Sequence, residues 1–296
     1  MIRFTKMQGL GNDYLLLDGV REAPPAGELG ALARALCDRH FGVGADGVIL
    51  ALPSRVADFR MRILNADGSE AEMCGNGVRL LAKYLYERSY TRQRDLEIET
   101  GAGLIRLRVR VRGGQVTAVR VDMGEPRLAR AEIPMRGAEA PRVVGERLRV
   151  GGRRLEITAL SMGNPHCVIF VPDVQRAPVG ELGPQIERHD LFPRRTNVEF
   201  VQVMGEGELA MRVWERGAGE TLACGTGASA ALVAAHLNGL ASRRAVVHLP
   251  GGDLEVHWNP EDGHVFIEGP AVEVFVGETR LDEELEAGRP RARRNR

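Results

Sequence analysis

The sequence predicts an α/β fold of the α+β type, built as two pseudo-symmetric copies of one duplicated domain. Three observations predict it. Short alternating or wholly apolar runs of strand length recur along the chain, separated by a few helical stripes. Gly-rich turn signals punctuate these runs. The motif Cys74-Gly75-Asn76-Gly77 returns 150 residues later as Cys224-Gly225-Thr226-Gly227.

In the first half, Ile2, Phe4 and Met7 alternate with Arg3 and Lys6 as a strand. Residues 8–13 read as a turn, and Tyr14–Leu17 as a short buried strand. Leu29, Leu32, Ala33 and Leu36 form a helical stripe within 28–40, with Cys37 beside it as a small core residue. The glycine-rich loop 41–47 does not open a helix, so it is not read as a nucleotide site. Strands follow at 48–52 and 59–64, then a turn at Asn65-Ala66-Asp67-Gly68. After Cys74, Val78, Leu81, Ala82 and Leu85 share one face of a helix over 78–86. Residues 95–123 alternate as several strands with a hairpin signal at Gly113-Gly114.

The pattern restarts near 125, after which 125–141 reads as a linker. Strands are expected at 146–150, 153–160, 167–171, 197–204 and 208–214, with Gly151-Gly152 as a hairpin turn. Cys224 opens a run, 228–237, that is apolar or small all round, as in a helix buried on every side. Strands at 244–249, 253–258 and 264–268 close the second half.

The chain of 296 residues is long enough for two domains of ordinary size. Its 44% apolar and 27% charged residues are those of a soluble globular protein. Net charge is zero, so nothing draws the chain generally to nucleic acid or to an anionic membrane. Arginines cluster only at Arg289, Arg291, Arg293, Arg294 and Arg296, read as a disordered terminus. No apolar run approaches the roughly 20 residues of a spanning helix, and the first residues lack the apolar core of a signal peptide. A cytoplasmic location with reduced cysteines is expected.

Further pairs support the duplication. Gly11-Asn12 matches Gly163-Asn164, Met61-Arg62 matches Met211-Arg212, and Glu70 matches Glu220. Asn65 corresponds to Glu215, and Gly47 to Asn197. Two copies related by a pseudo-twofold axis place a ligand naturally in the cleft between them. A thiol at a helix N-terminus is expected to ionise readily, because exposed N–H groups and the helix dipole favour thiolate. The following glycines let backbone amides approach a carboxylate. One thiolate and one thiol on opposite faces of an α-carbon suit a two-base inversion of chirality, with the amides stabilising the carbanion. The two sulfurs would then titrate as a coupled pair.

No cofactor is expected. Pyridoxal phosphate needs a Schiff-base lysine, and Lys6 and Lys83 are the only lysines, neither beside a phosphate loop. No metal is expected, for there is no CxxC or HExxH motif.

The motifs resemble those of the diaminopimelate epimerase family, pyridoxal-independent enzymes of lysine and peptidoglycan-precursor synthesis. The resemblance is carried by residues 6–13, 65–70, 74–79, 161–167, 215–221 and 223–227, in family order along nearly the whole chain. It implies two α/β domains, each a curved, mostly antiparallel sheet or barrel around a central helix. The boundaries implied are 1–121 plus 271–296, and 122–270. Cys74 and Cys224 become the acid/base pair. Gly75, Asn76, Gly225 and Thr226 hold the reacting end of the substrate. Asn12, Asn65, Asn164, Asn197, Glu215 and Arg216 bind its other polar groups, with Arg216 on the distal carboxylate. His166 and Glu215 tune the thiols or orient the substrate. One departure is Gly47, where many members carry Gln.

The reaction expected is interconversion of LL- and meso-diaminopimelate, a small-molecule substrate, by a homodimer. The nearest rival is a proline racemase or hydroxyproline epimerase; Arg216 beside Glu215 favours a substrate charged at its far end. A thiol–disulfide redox protein is disfavoured by the absence of CxxC. A non-catalytic binding protein for a dicarboxylic amino acid is distinguished by turnover.

Overall fold

The computed structural model describes residues 1–22 and 28–280, so the Arg-rich tail lies outside the described residues. The chain divides into two compact units, Met1–Thr117 with the segment from Ala271, and Ala118–Pro270.

The first unit begins with β1 (Ile2–Gly9) and β2 (Asn12–Asp18), then α1 (Leu29–Cys37), β3 (Gly47–Leu52), β4 (Phe59–Asn65) and the two-residue β5 (Glu70–Ala71). Next come α2 (Gly75–Glu87), β6 (Asp95–Thr100) and β7 (Gly103–Arg112). β8 (Gln115–Asp122) spans the boundary in sequence. The second unit holds β9 (Val143–Val150), β10 (Arg153–Ser161), β11 (Pro165–Phe170), α3 (Val179–Glu187), β12 (Asn197–Gly205), β13 (Glu208–Glu215) and β14 (Gly219–Thr221). It ends with α4 (Gly225–Leu237), β15 (Arg244–Leu249), β16 (Gly252–Trp258) and β17 (Val265–Gly269), before β18 (Val272–Thr279).

The two units repeat one topology. In the first, β18, β1, β2, β3, β4, β6 and β7 lie in that order; β2–β3 and β4–β6 pair in parallel, and β18–β1, β1–β2, β3–β4 and β6–β7 antiparallel. In the second, β9, β10, β11, β12, β13, β15 and β16 follow with the same senses at every step. β17 and then β8 extend that sheet, Val119–Asp122 pairing with Phe266–Gly269. Even a small feature recurs. Arg62 on β4 makes a two-pronged bond to Glu70 on β5, and Arg212 on β13 grips Glu220 on β14.

Each sheet packs on one central helix. In α2, Val78, Leu80, Leu81 and Leu85 are fully buried against β1, β2, β3, β4 and β7. α4 touches strands from β10 to β17. Its residues 228–235 are all buried, and all but Ser229, Leu232 and Val233 are alanines. An all-apolar helix must be covered on every side, and alanine lets the strands close tightly around it. The sequence places each helix start three residues late. Gly75 and Gly225 already lie inside the first turn, because Cys74 and Cys224 are the N-caps.

α1 and α3 pack outside the sheets. Leu32, Ala33 and Leu36 of α1 join Leu15, Val48 and Leu50, and Val179, Leu182 and Ile186 of α3 join Ile157, Val198 and Phe200. α3 is absent from the sequence reading. Gly180, Gly183 and Pro184 break its stripe, yet Gly183 is required, since a Cβ there would sit 2.6 Å from Trp214 Cβ. The Gly151-Gly152 hairpin is confirmed by φ of 55° and 74°, as a two-residue type I′ loop demands. Among the described residues no helix is long and apolar enough to cross a membrane.

The central helices differ in how they fill their sheets, and this predicts opposite failures. Leu81→Ala should open a cavity and cost about 2–5 kcal/mol. At the matched position Ala231→Leu should overpack and cost about 1–3 kcal/mol. Urea unfolding of both variants checks this.

Candidate active site

Each half-site starts from a cysteine that ends one turn and begins a buried helix. Cys74 and Cys224 have extended backbones, with φ of −143° and −135°, and each sulfur accepts from the third helical N–H, Gly77 N and Gly227 N, at 3.4 Å. This is an N-cap made by sulfur in place of the usual oxygen. The helix cannot be displaced without opening the core, so the sulfur is held where the first amides of the helix are directed.

Around Cys74, the Tyr14 hydroxyl donates to Sγ at 3.4 Å, and Asn12 Oδ1 lies 3.7 Å away. Asn76 is buried and donates to the same Asn12 oxygen at 3.2 Å. The Asn12 amide nitrogen donates to Asp46, which is held with Asp13 by Arg39. Burial first, then the charge of Cys74, push the Tyr14 hydroxyl far up, so it stays a donor at neutral pH. Asn65 ends β4 opposite Gly47, half-buried, its amide donating to Ser69 Oγ at 2.9 Å. A Cβ at Gly47 would meet Leu64 O at 2.5 Å and Tyr14 Cε1 at 2.8 Å. Glycine there therefore makes room for the tyrosine that reaches Cys74.

Around Cys224, the Thr226 hydroxyl lies 3.4 Å from Sγ and accepts from Asn164 Nδ2 at 3.3 Å. Asn164 Oδ1 faces His166 Nε2 at 2.9 Å, and His166 Nδ1 faces Glu199 Oε1 at 2.6 Å. With Nε2 donating to the amide oxygen, one proton must lie between Nδ1 and the carboxyl. His166 and Glu199 are both fully buried. Asn197, also buried, donates to Pro165 O and accepts from Arg216 N, both at 2.9 Å. Glu215 accepts from the Thr221 hydroxyl. The Arg216 guanidinium is exposed and donates to Arg194 O at 3.2 Å.

The structure thus gathers Asn12, Gly75 and Asn76 at Cys74, and Asn164, His166, Glu215, Gly225 and Thr226 at Cys224. Asn65 and Arg216 flank these groups without touching a sulfur. Two residues were missed. The sequence shows Tyr14 only as part of an apolar run, and Glu199 only as part of a strand. A Glu inside the wholly buried run Asn197–Val201 was the available signal.

The expectation that a helix start eases ionisation is corrected at Cys224. Burial, reinforced by the charges of Glu215 and Glu199, pushes that thiol well up, outweighing the bonds from Thr226 and Gly227. Desolvation likewise raises Glu199, against the pull of His166, and raises Glu215. Cys37 and Cys167 are core residues whose burial also pushes them up, Cys37 to about 12. Lys6 pairs with Asp13, and Lys83 with Glu87 at 2.7 Å. Among the described residues no group of three or more His, Cys, Asp or Glu could hold a metal.

The chain matches the family model for diaminopimelate epimerase over residues 4–129 and 158–274. It is 56% identical over 281 residues to "Diaminopimelate epimerase" of Moorella thermoacetica, covering 95% of this chain and 100% of that protein. It is 58% identical over 277 residues to the protein of that name from Pelotomaculum thermopropionicum, covering 94% and 98%. Among solved structures it is similar to a probable proline racemase from Agrobacterium radiobacter K84 with bound carbonate, at TM-score 0.67 and 18% identity over 95% of this chain and 93% of that one. A phenazine biosynthesis protein of the PhzF family from Bacillus anthracis gives TM-score 0.67 and 20% identity, covering 94% and 98%. At such identities these two structures show the shared fold.

The buried carboxyls make stability depend on pH. A carboxyl whose folded pKa is raised binds its proton more tightly in the folded chain. Its contribution is full below the ordinary value of 4.5 and is lost as pH rises through the raised value. Glu215→Gln should therefore gain urea resistance relative to the wild type as pH climbs from 4.5 to neutrality and above. A stability difference that stays constant with pH would show that the Glu215 carboxyl is not desolvated.

Proposed function

The chain belongs to the diaminopimelate epimerase family, and from that premise we propose that it interconverts LL- and meso-diaminopimelate with Cys74 and Cys224 as its two bases. The observation that carries the residue assignment is the doubled sulfur cap. Two helices of thirteen residues, each buried in its own sheet, begin one residue after a cysteine whose Sγ accepts from the third helical N–H.

In the proposed reaction one sulfur, as thiolate, takes the α-proton. The electron pair left on the α-carbon is delocalised into the adjacent carboxylate, which the amides of Gly75-Asn76 and Gly225-Thr226 receive. The other sulfur, as thiol, delivers its proton to the opposite face, and configuration inverts. Asn12, Asn65, Asn164, Asn197, Glu215 and Arg216 take the remaining amino and carboxylate groups. His166 acts through Asn164 and Thr226 on Cys224, to which the hydrogen-bonded chain leads. The choice of diaminopimelate over a cyclic imino acid is supported by relatives above 50% identity bearing that name, whereas the likeness to a proline racemase is one of fold.

Two further proposals concern the setting. Paired working thiols need a reducing compartment, which fits the cytoplasm. A homodimer is supported by β18. Among the described residues it pairs with β1 alone, and it exposes Val274, Phe275 and Val276. An unpaired edge carrying apolar side chains is a template for association.

Incubation of LL-diaminopimelate in deuterium oxide should give α-deuterated meso product, with proline unchanged. Cys74→Ala and Cys224→Ala should each lower turnover by about 10²-fold or more while ligand binding remains measurable. Wild-type turnover in either variant, or activity on proline alone, would overturn the assignment. Light scattering should give twice the chain mass for the wild type and the chain mass for Val276→Glu.

A further inference from the structure

Arg216 lies in a turn that a buried carboxyl holds in place. Arg216, Gly217 and Ala218 are exposed and link β13 to β14. Gly217 and Gly219 have φ of 81° and 86°, so the turn runs through residues whose backbone is intrinsically free. Three contacts nevertheless fix it. Arg216 N donates to Asn197 Oδ1 at 2.9 Å, and Arg216 Nη1 donates to Arg194 O at 3.2 Å. Gly217 N donates at 3.1 Å to Oε1 of Glu187, the last residue of α3.

Glu187 is only 1% exposed. Its other oxygen accepts from Trp214 Nε1 at 2.8 Å, and Arg195 Nη1 lies 3.6 Å from Oε1. Its main-chain carbonyl accepts from Thr196 N at 3.2 Å. One residue thus ties α3 to the end of β13, to the residue after Arg216, and to the segment whose Arg194 carbonyl receives the Arg216 guanidinium. Taking a carboxyl out of water is costly, and the first unit does without one here. α1 and α3 each have nine residues and start 150 residues apart, and α1 ends in Cys37 where α3 ends in Glu187. At the same offset Leu64 stands for Trp214 and Ala66 for Arg216. Carboxyl, indole and arginine occur together in one unit, and none of the three occupies the matched positions of the other. Packing a helix on the sheet does not require them, since α1 packs with Cys37 and Leu64 in its core.

We propose that Glu187 is a positioning residue for substrate recognition, which by gripping Gly217 and Trp214 fixes the turn that presents Arg216 to the distal carboxylate of the substrate. The proposal rests on the reading that Arg216 takes that carboxylate, and adds the residue that holds it ready. An arginine whose backbone is already anchored loses less freedom on binding, so more of its ion pair appears as affinity. The distal carboxylate is remote from the reacting carbon, and its charge does not change during proton transfer. Contacts to it act alike on ground state and transition state, so their loss raises KM and leaves kcat.

Steady-state kinetics of the full chain on LL-diaminopimelate, with Glu187→Gln, Arg216→Ala and the double variant, tests it. Glutamine keeps the volume of Glu187 but has a single acceptor oxygen, and sets an NH2 group against one of the two donors. Glu187→Gln should raise KM about tenfold, the effect of leaving one buried donor unpaired, and keep kcat within about twofold. Arg216→Ala should raise KM by at least as much. Added to Arg216→Ala, Glu187→Gln should raise KM no further, because a residue that acts only through Arg216 then has nothing left to position. A merely structural role would lower kcat as well, or raise KM by the same factor with and without Arg216. Either result would overturn the proposal. So would an unchanged KM in folded Glu187→Gln, or in Glu187→Ala should the former not fold, beside a raised KM in Arg216→Ala. An unchanged KM in Arg216→Ala would instead overturn the reading of Arg216 itself, and the proposal with it.

Discussion

The bond from the third helical N–H to a cysteine sulfur is the contact on which the rest of both half-sites depends. It closes the first turn of α2 and of α4 and fixes each sulfur over the amides of that turn. Such a cap has value only if the helix itself is immobile, and the curved sheet supplies that. Leu80, Leu81 and Leu85 of α2, and the alanine-rich face of α4, are sealed from water. Burial of each large apolar side chain contributes roughly 1.5–3 kcal/mol, so withdrawing either helix to relax its cap would cost many such contributions. The glycine that donates to each sulfur, Gly77 or Gly227, follows from the same requirement. A Cβ at Gly227 would lie 3.3 Å from Cys224 Sγ and 3.1 Å from Glu199.

On this common frame the two units have diverged at a few buried positions. Sheet register pairs Tyr14 with Gly47 and Gly47 with Asn65, and in the other unit His166 with Asn197. The 150-residue offset sets Ile49 against Glu199, Asn65 against Glu215, and Arg79 against Ser229. Placing a carboxyl where the other unit has an isoleucine is costly unless it is paired. His166, in the position of Tyr14, supplies the partner for Glu199 at 2.6 Å. The exchange of Tyr14 for His166 and of Ile49 for Glu199 thus makes sense as one event, since either alone would leave a buried group unsatisfied.

Much of this was legible in the sequence because duplication leaves an offset that needs no structure to detect. Most strands, the two cysteine-capped helices and the asparagines of the turns could be placed from pattern and spacing, whereas the short β5 and β14 and the returning β18 could not. What escaped depends on neighbours that sequence does not name. α3 was hidden because Gly183 answers to Trp214, a residue on another element. Tyr14 looked like core because its ring is core, and only its hydroxyl is directed at the sulfur. The ionisation of Cys224 was misjudged for a related reason. Helix-end electrostatics can be read from local sequence, but desolvation and the field of two carboxylates from other strands cannot.

A charge difference between the half-sites has a kinetic consequence for a two-base reaction. Each turnover leaves the former base protonated and the former acid ionised, which is the arrangement suited to the reverse reaction. Before a second forward turnover the two protons must be exchanged with solvent. If both thiols had equal affinity for a proton, either arrangement would be equally populated, and half the enzyme would always be set for the wrong substrate epimer. Each unit of pKa difference favours one arrangement by about 1.4 kcal/mol, or tenfold. That bias speeds recovery in one direction and slows it in the other, while the overall equilibrium between epimers is untouched.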